Sequence, residues 1–421
     1  MLVTIYCILI SLILISTQVK FKTFILPNTI FSVIWCAGGV LACTNNLGLL
    51  RPSLQIHLYI ILSIITFNLL YFIFSNNLKE SINEDIEVQF NINYKLITGM
   101  CILGLILILP NTITAVKTLI TTGFSLSSVR INYASLSYSE RFFYMFFTNN
   151  IPIAIFSAAS IITAINLADN KTKLLKISLI CIFIGTITFG GRYLILNFII
   201  YYISAFLILK KYKYIKIKKS YILIAIIILA IVTLLRGTTG LSVLDMGVLY
   251  YVGSFSFLEF IISHPHLYGL LDPPMYGYLT FGFLLEPIIL ALKLFFALDI
   301  DVPSYHFNIY AQPFVNIGVE KVTYYNNNTT ILYTFIRDFG AIGVIVGIAL
   351  ITSAVCIFQK MFKKTRSIRT IGILLLLYSL IINSTMAYNL TSIASSLLII
   401  FLLIFSREKK RNEELKLSEF K

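Results

Sequence analysis

Long apolar runs constrain this chain more than any motif in it, and residues 221–235 (YILIAIIILAIVTLL) form the purest of them. A helix of about 20 mostly apolar residues crosses the roughly 30 Å hydrocarbon core of a bilayer. That template fits eleven segments: 2–18, 24–43, 53–74, 96–115, 142–166, 174–189, 193–209, 220–236, 329–358, 370–388 and 390–406. Composition agrees, with 58% hydrophobic and 12% charged residues against roughly 25% charge in soluble domains. The expected fold is all-α, a single polytopic transmembrane bundle over 1–421 with about 11 helices. Two further apolar stretches, 247–262 and 279–298, raise the count to 13 if they also cross. Glu286-Pro287 breaks the second of these and Lys293 sits within it, which favours interfacial or re-entrant helices.

Lys and Arg gather in short runs between the apolar segments, so the net charge of +15 reports topology rather than a nucleic-acid surface. Basic loops are retained in the cytoplasm. Placing KKYKYIKIKK (210–219) inside also puts Lys171, Lys173, Lys176, the run 360–369 and the tail 407–421 inside. The N-terminus is then outside and the C-terminus inside, with a polar cytoplasmic loop at 75–95 and a large outer loop at 237–328. The first segment lacks a basic flank and a small-residue cleavage site before Lys20, so it reads as a retained helix.

On this topology 20 of the 23 Lys are cytoplasmic, whereas six of the ten Arg (Arg51, Arg130, Arg141, Arg192, Arg236, Arg337) lie outside or near outer helix ends. Retention acts on both residue types, so Arg alone on the outer face asks for another reason. A guanidinium presents a fixed fork that binds phosphate bidentately, which an ammonium does not. For Arg51 and Arg141, pairing with local acids or snorkelling to lipid headgroups is the favoured account of the charge. Arg192 follows TFGG at a tight outer turn, and Arg236 closes the 221–235 run. Arg337 and Asp338 fall about two turns into the ninth segment, where ionisable groups face a protein cavity by default.

Other chemistry finds little support. The six Cys show no C-x-x-C spacing, and His57, His264, His266 and His306 show no metal-ligand spacing, so no metal and no cofactor is expected. Phosphate-loop, serine-elbow and zinc-protease motifs are absent.

The ordered set of GGRY at 190–193, the Arg236-Gly237 helix end, the large outer loop and N-N-T-T...R-D-F-G-x-x-G over 327–343 resembles the Wzy-type O-antigen polymerases of bacterial inner membranes. By motif the likeness covers about 180–350, and by architecture the whole chain. It is also similar to O-antigen ligases, except that Asn327-Asn328 stand where ligases carry His-Asn. The resemblance implies a GT-C-like membrane glycosyltransferase of the inner membrane, acting without metal at the periplasmic face. Its donor is an undecaprenyl-diphosphate-linked oligosaccharide, its acceptor a lipid-linked repeat unit, and its partners are membrane lipid and a chain-length regulator. On that reading Arg192, Arg236 and Arg130 hold the diphosphate. Arg337 and Asp338 are catalytic, with Asp245, Glu286 and His264 as further proton acceptors. Asn327, Asn328, Tyr324, Tyr325 and His264 contact glycan, with Tyr250, Tyr251, Tyr276 and Tyr278 as further stacking faces. A lipid-linked oligosaccharide flippase is the main rival; it would line a path across the bilayer with polar groups.

Overall fold

The computed structural model describes residues 1–44, 47–75, 92–126, 128–129, 142–209, 243–326 and 328–406. It is mostly helical. In chain order the helices are α1 (Leu2–Phe21), α2 (Pro27–Thr44), α3 (Leu54–Phe74), α4 (Tyr94–Thr121), α5 (Ile151–Ala168), α6 (Leu175–Phe189), α7 (Tyr193–Leu209) and α8 (Val243–Ser263). There follow α9 (Gly282–Phe296), α10 (Pro303–Ala311), the two-residue strands β1 (Val315–Asn316) and β2 (Tyr324–Tyr325), α11 (Ile331–Phe339), α12 (Gly343–Thr365), α13 (Ile368–Asn383) and α14 (Ile393–Phe405).

Among the described residues, six helical stretches are long and apolar enough to cross a membrane: α1, α2, α3, α4, Phe146–Ala168 and Ile331–Thr365. Five shorter apolar helices accompany them, in α6, α7, the 247–263 part of α8, α13 and α14. The chain is thus an all-α protein of membrane-spanning character. The expected span 220–236, most of the 75–95 loop and the 407–421 tail lie outside the described residues. All six Cys are free thiols, four of them buried and Cys7 exposed.

The chain divides into two compact units. One comprises 1–84, 216–363 and 376–396. Here α1, α2 and α3 are joined by polar contacts in their interior: Asn28 Nδ2 donates to Thr17 Oγ1 (2.9 Å) and to Asn68 Oδ1 (3.1 Å). Interhelical hydrogen bonds of this kind substitute for hydrophobic association where lipid is the solvent. The apolar stretch 247–262 is buried structure rather than loop surface, since Phe255, Phe257, Leu258 and Ile261 of α8 are fully buried and Phe255 meets Trp35 of α2 edge-on (5.8 Å). Glu259 accepts the Ser53 amide at the start of α3 (2.7 Å). The connection between α2 and α3 is tied to the long loop, with Leu50 N donating to Ile317 O (2.7 Å) and Val319 N to Gly48 O (2.8 Å).

One expectation changes at α9. Pro287 does not break it; the helix runs through from Gly282 to Phe296. Proline removes the hydrogen bond to the carbonyl four residues back, and here that carbonyl, Phe283 O, accepts from the Ser396 hydroxyl instead.

The other unit comprises 85–215, 364–375 and 397–421. Its α4, α5, α6 and α7 pack together, with Ala154, Ile155, Phe156 and Ala158 of α5 fully buried. Asn111 of α4 donates to Thr148 (3.0 Å) and Asn149 (2.6 Å) in the π-helical turn Phe146–Asn150 that leads into α5. The tight turn expected at GGRY is present: α6 ends on left-handed Gly190, and α7 begins at Tyr193.

Candidate anion-binding site at the end of α11

The single segment expected at 329–358 is two helices end to end. At Gly340 the backbone takes φ 65°, ψ −157°, a conformation open essentially to glycine alone. A short 3-10 turn (Gly340–Ile342) then leads into α12. Seven of the nine residues of α11 are buried, so no face of it is left to lipid. The connection after α13 covers one side, with Ile331 N donating to Ser384 O (2.9 Å) and Phe335 facing Tyr388 (5.6 Å). The loop at 272–281 covers another.

Arg337 and Asp338, adjacent in sequence, point apart and hold two places on that loop. Arg337 donates through one terminal nitrogen to Pro273 O (2.9 Å), and its other lies 3.7 Å from Asp272 Oδ2. Asp338 accepts the amides of Leu279 (3.1 Å) and Thr280 (2.6 Å). The backbone adds Tyr276 N to Asp338 O (2.9 Å). Asp338 is 0% exposed and both carboxylate oxygens are engaged. The arrangement gives Asp338 a structural task, clamping the loop.

Arg337 is a different case. Among the described residues its Nε is buried without a hydrogen-bond partner, as are the hydroxyls of Tyr333, Thr334, Thr330 and Thr329 on the same short stretch. Each buried polar group left unpaired costs about 1–3 kcal/mol. Tyr333 and Arg337 are four residues apart and share a helix face. Phe307 of α10 packs on the Tyr333 ring (6.2 Å). Gly269, at φ +65, lets Tyr310 and Asp272 come close: a Cβ there would lie 2.9 Å from the Tyr310 hydroxyl and 3.0 Å from Asp272 Oδ2. His306, one turn before Tyr310, feels the Arg337 charge and meets Tyr278 edge-on (5.8 Å). Burial lowers the His306 pKa below its ordinary value; Arg337 adds to this and Asp301 opposes it. The imidazole is therefore neutral near pH 7. The result is a donor-rich wall of guanidinium and phenol with a neutral imidazole beside it. Asp272, its side chain 58% exposed, lies across the guanidinium.

The other expected residues fall into three groups. Tyr324, 64% exposed, offers a free aromatic surface. Tyr325 does not: it is buried, its hydroxyl donates to Tyr250 O (3.0 Å) and its ring faces Phe257 (6.0 Å), so it packs the core. His264 ends α8 with its ring stacked on Phe260 (4.3 Å) and Nδ1 donating to Phe260 O (2.9 Å). Asp245 lies in the first turn of α8, and Glu286 is fully buried in α9. Arg192 belongs to the other unit, immediately before α7. Arg130, Arg236 and Asn327 lie outside the described residues. Among the described residues, no three His, Cys, Asp or Glu side chains gather as metal ligands.

Sequence reasoning passed over Tyr333, Tyr310, Asp272 and the placing of His306. Only the four-residue spacing of Tyr333 and Arg337 was visible in advance. No family model, no curated protein and no solved structure matches the chain. What supports a function is therefore the chemistry of this wall.

Proposed function

We propose that this protein is a membrane glycosyltransferase of the O-antigen polymerase kind, joining undecaprenyl-diphosphate-linked oligosaccharide repeat units at the periplasmic face of the bacterial inner membrane. The observation that carries the reading is the unpaired edge of Arg337. Among the described residues one terminal nitrogen is committed to Pro273, Nε has no hydrogen-bond partner and the other terminal nitrogen lies 3.7 Å from Asp272. Charge-assisted bonds are normally about 2.7–2.9 Å. A phosphate that displaces Asp272 gains both donors of that edge, with the Tyr333 hydroxyl next to it.

The acceptor hydroxyl attacks the anomeric carbon of the donor sugar. Its bond to the diphosphate oxygen breaks, and undecaprenyl diphosphate leaves with the electron pair. Fixed donors facing the leaving oxygens stabilise the charge that grows there. The acceptor's proton goes to His306, whose depressed pKa keeps it unprotonated and able to accept. The proposal rests on Arg337 and not on Arg192, Arg236 or Arg130.

Sidedness is supported within the first unit. Lys20, near the end of α1, donates to Phe72 O near the end of α3. The long loop meets the opposite end of α3, at its connection to α2. Retention of basic residues puts the Lys20 end in the cytoplasm.

The test is purified protein in lipid nanodiscs, given lipid-linked repeat units. Chain extension with release of undecaprenyl diphosphate is expected. Movement of the lipid-linked unit between leaflets without extension would instead establish the flippase.

A further inference from the structure

Glu286 is a fully buried carboxylate with a defined set of partners. One oxygen accepts the Ser304 amide (3.1 Å) and the other accepts the Ser304 hydroxyl (2.9 Å), while the Ile393 amide at the start of α14 favours the charged form. Ser304 is the second residue of α10, where a backbone N–H has no partner inside the helix, and negative charge at a helix N-terminus is favoured by the aligned peptide dipoles. One side chain thus fixes α9 and the start of α10 to one another.

The consequence falls on the anion wall, because α10 carries His306 beside Arg337 and Phe307 against Tyr333. We infer that Glu286 is the positioning residue of the Arg337 site, setting the N-terminus of α10 and through it the place of His306. This rests on the proposed function for its purpose, but not for its geometry. Among the described residues Tyr278 is in electrostatic contact with Glu286; its hydroxyl donates to Asp301 O and its ring meets His306. Lys293 lies two turns further along α9. Burial pushes the Glu286 carboxyl up to about 7, against the pull of its Ser304 and Ile393 donors. Protonation replaces an acceptor with a donor and loosens the hold on Ser304.

The experiment uses the full chain in nanodiscs, comparing wild type with Glu286→Gln and Glu286→Ala. Amide hydrogen exchange over 303–311 is corrected for intrinsic rates, and the exchange of the His306 ring C2 proton gives its protonation midpoint. In wild type, protection of the first turn of α10 is expected to fall about threefold from pH 8 to pH 6. Glu286→Gln, which carries a donor where the protonated acid does and cannot titrate, should hold protection at the level wild type reaches at pH 6, at both pH values and with no pH step. Glu286→Ala should lose protection at both pH values and let the midpoint rise. Wild-type protection and midpoint in the Ala variant would overturn the inference, as would a wild-type pH step in the Gln variant. Binding of inorganic diphosphate to the wild type is measured alongside. Its absence, with the exchange results as expected, removes the polymerase reading and leaves the positioning role standing.

Discussion

Replacing Arg337 by Lys keeps the charge and removes the fork. Hydrogen bonds to charged groups contribute about 1.5–3 kcal/mol, so affinity for inorganic diphosphate, read by calorimetry, should fall about 10- to 100-fold. Unchanged affinity would mean that the anion sits elsewhere. Asp338→Asn should act differently, because its amide group would face an N–H that the carboxylate now accepts. A loss of about 1–3 kcal/mol of stability is expected, visible as a lower Tm in detergent. An Asn variant that is inactive but melts like wild type would return Asp338 to the chemistry. His306→Gln should slow chain extension about 100-fold or more, the usual scale for a lost general base. Since the working form of His306 is neutral and burial lowers its pKa from the ordinary value, the wild-type rate should fall in two steps as pH drops, one near pH 7 as Glu286 protonates and loosens α10 and a second in more acid conditions as His306 itself protonates. In Glu286→Gln the step near pH 7 should be absent, and a decline there that survives in the Gln variant would point to a different proton acceptor.

Among the elements, the junction of α11 and α12 decides where the wall can be. A continuous helix would leave Arg337 and Tyr333 on a single long rod, whereas the turn at Gly340 ends α11 and lets α12 restart in close packing on it. A Cβ on Gly343 would overlap the Phe335 carbonyl, which shows how closely the two helices meet. Gly340→Ala forces an L-residue into a conformation costing about 1–3 kcal/mol, and the Tm should fall accordingly while Ala341→Gly changes it little. Equal melting of Gly340→Ala and wild type would show that the junction tolerates another backbone path. The same logic of local compensation explains α9, where Ser396 takes over the carbonyl that Pro287 leaves free.

For the whole molecule, the orientation is the claim on which the outer-face chemistry depends. In a background without the six native Cys, an impermeant maleimide added to spheroplasts should modify Val319→Cys and spare Lys22→Cys. Val319 is 69% exposed in the long loop, so protection there could not be ascribed to burial. Modification of Lys22→Cys with Val319→Cys spared would invert the protein and with it the periplasmic placing of the Arg337 site.

The amino-acid sequence determined by itself that the chain is a helical membrane protein, because a bilayer leaves a run such as 53–74 no alternative to satisfying its backbone internally. It also determined the turn at Gly190-Gly191 and the interest of Arg337, an ionisable group in an apolar setting. The partners of such groups were beyond it. Arg337 finds Asp272 and Pro273 more than sixty residues away, Asp338 finds Leu279 and Thr280, and Tyr325 turns from a possible sugar platform into core because its hydroxyl reaches Tyr250. Hydropathy and spacing describe what each residue's neighbours in the chain allow. Which buried donor meets which acceptor is decided by packing between distant segments, and so the tertiary structure alone decided that Asp338 clamps, that His306 stands beside Arg337, and that Glu286 holds α10 in place.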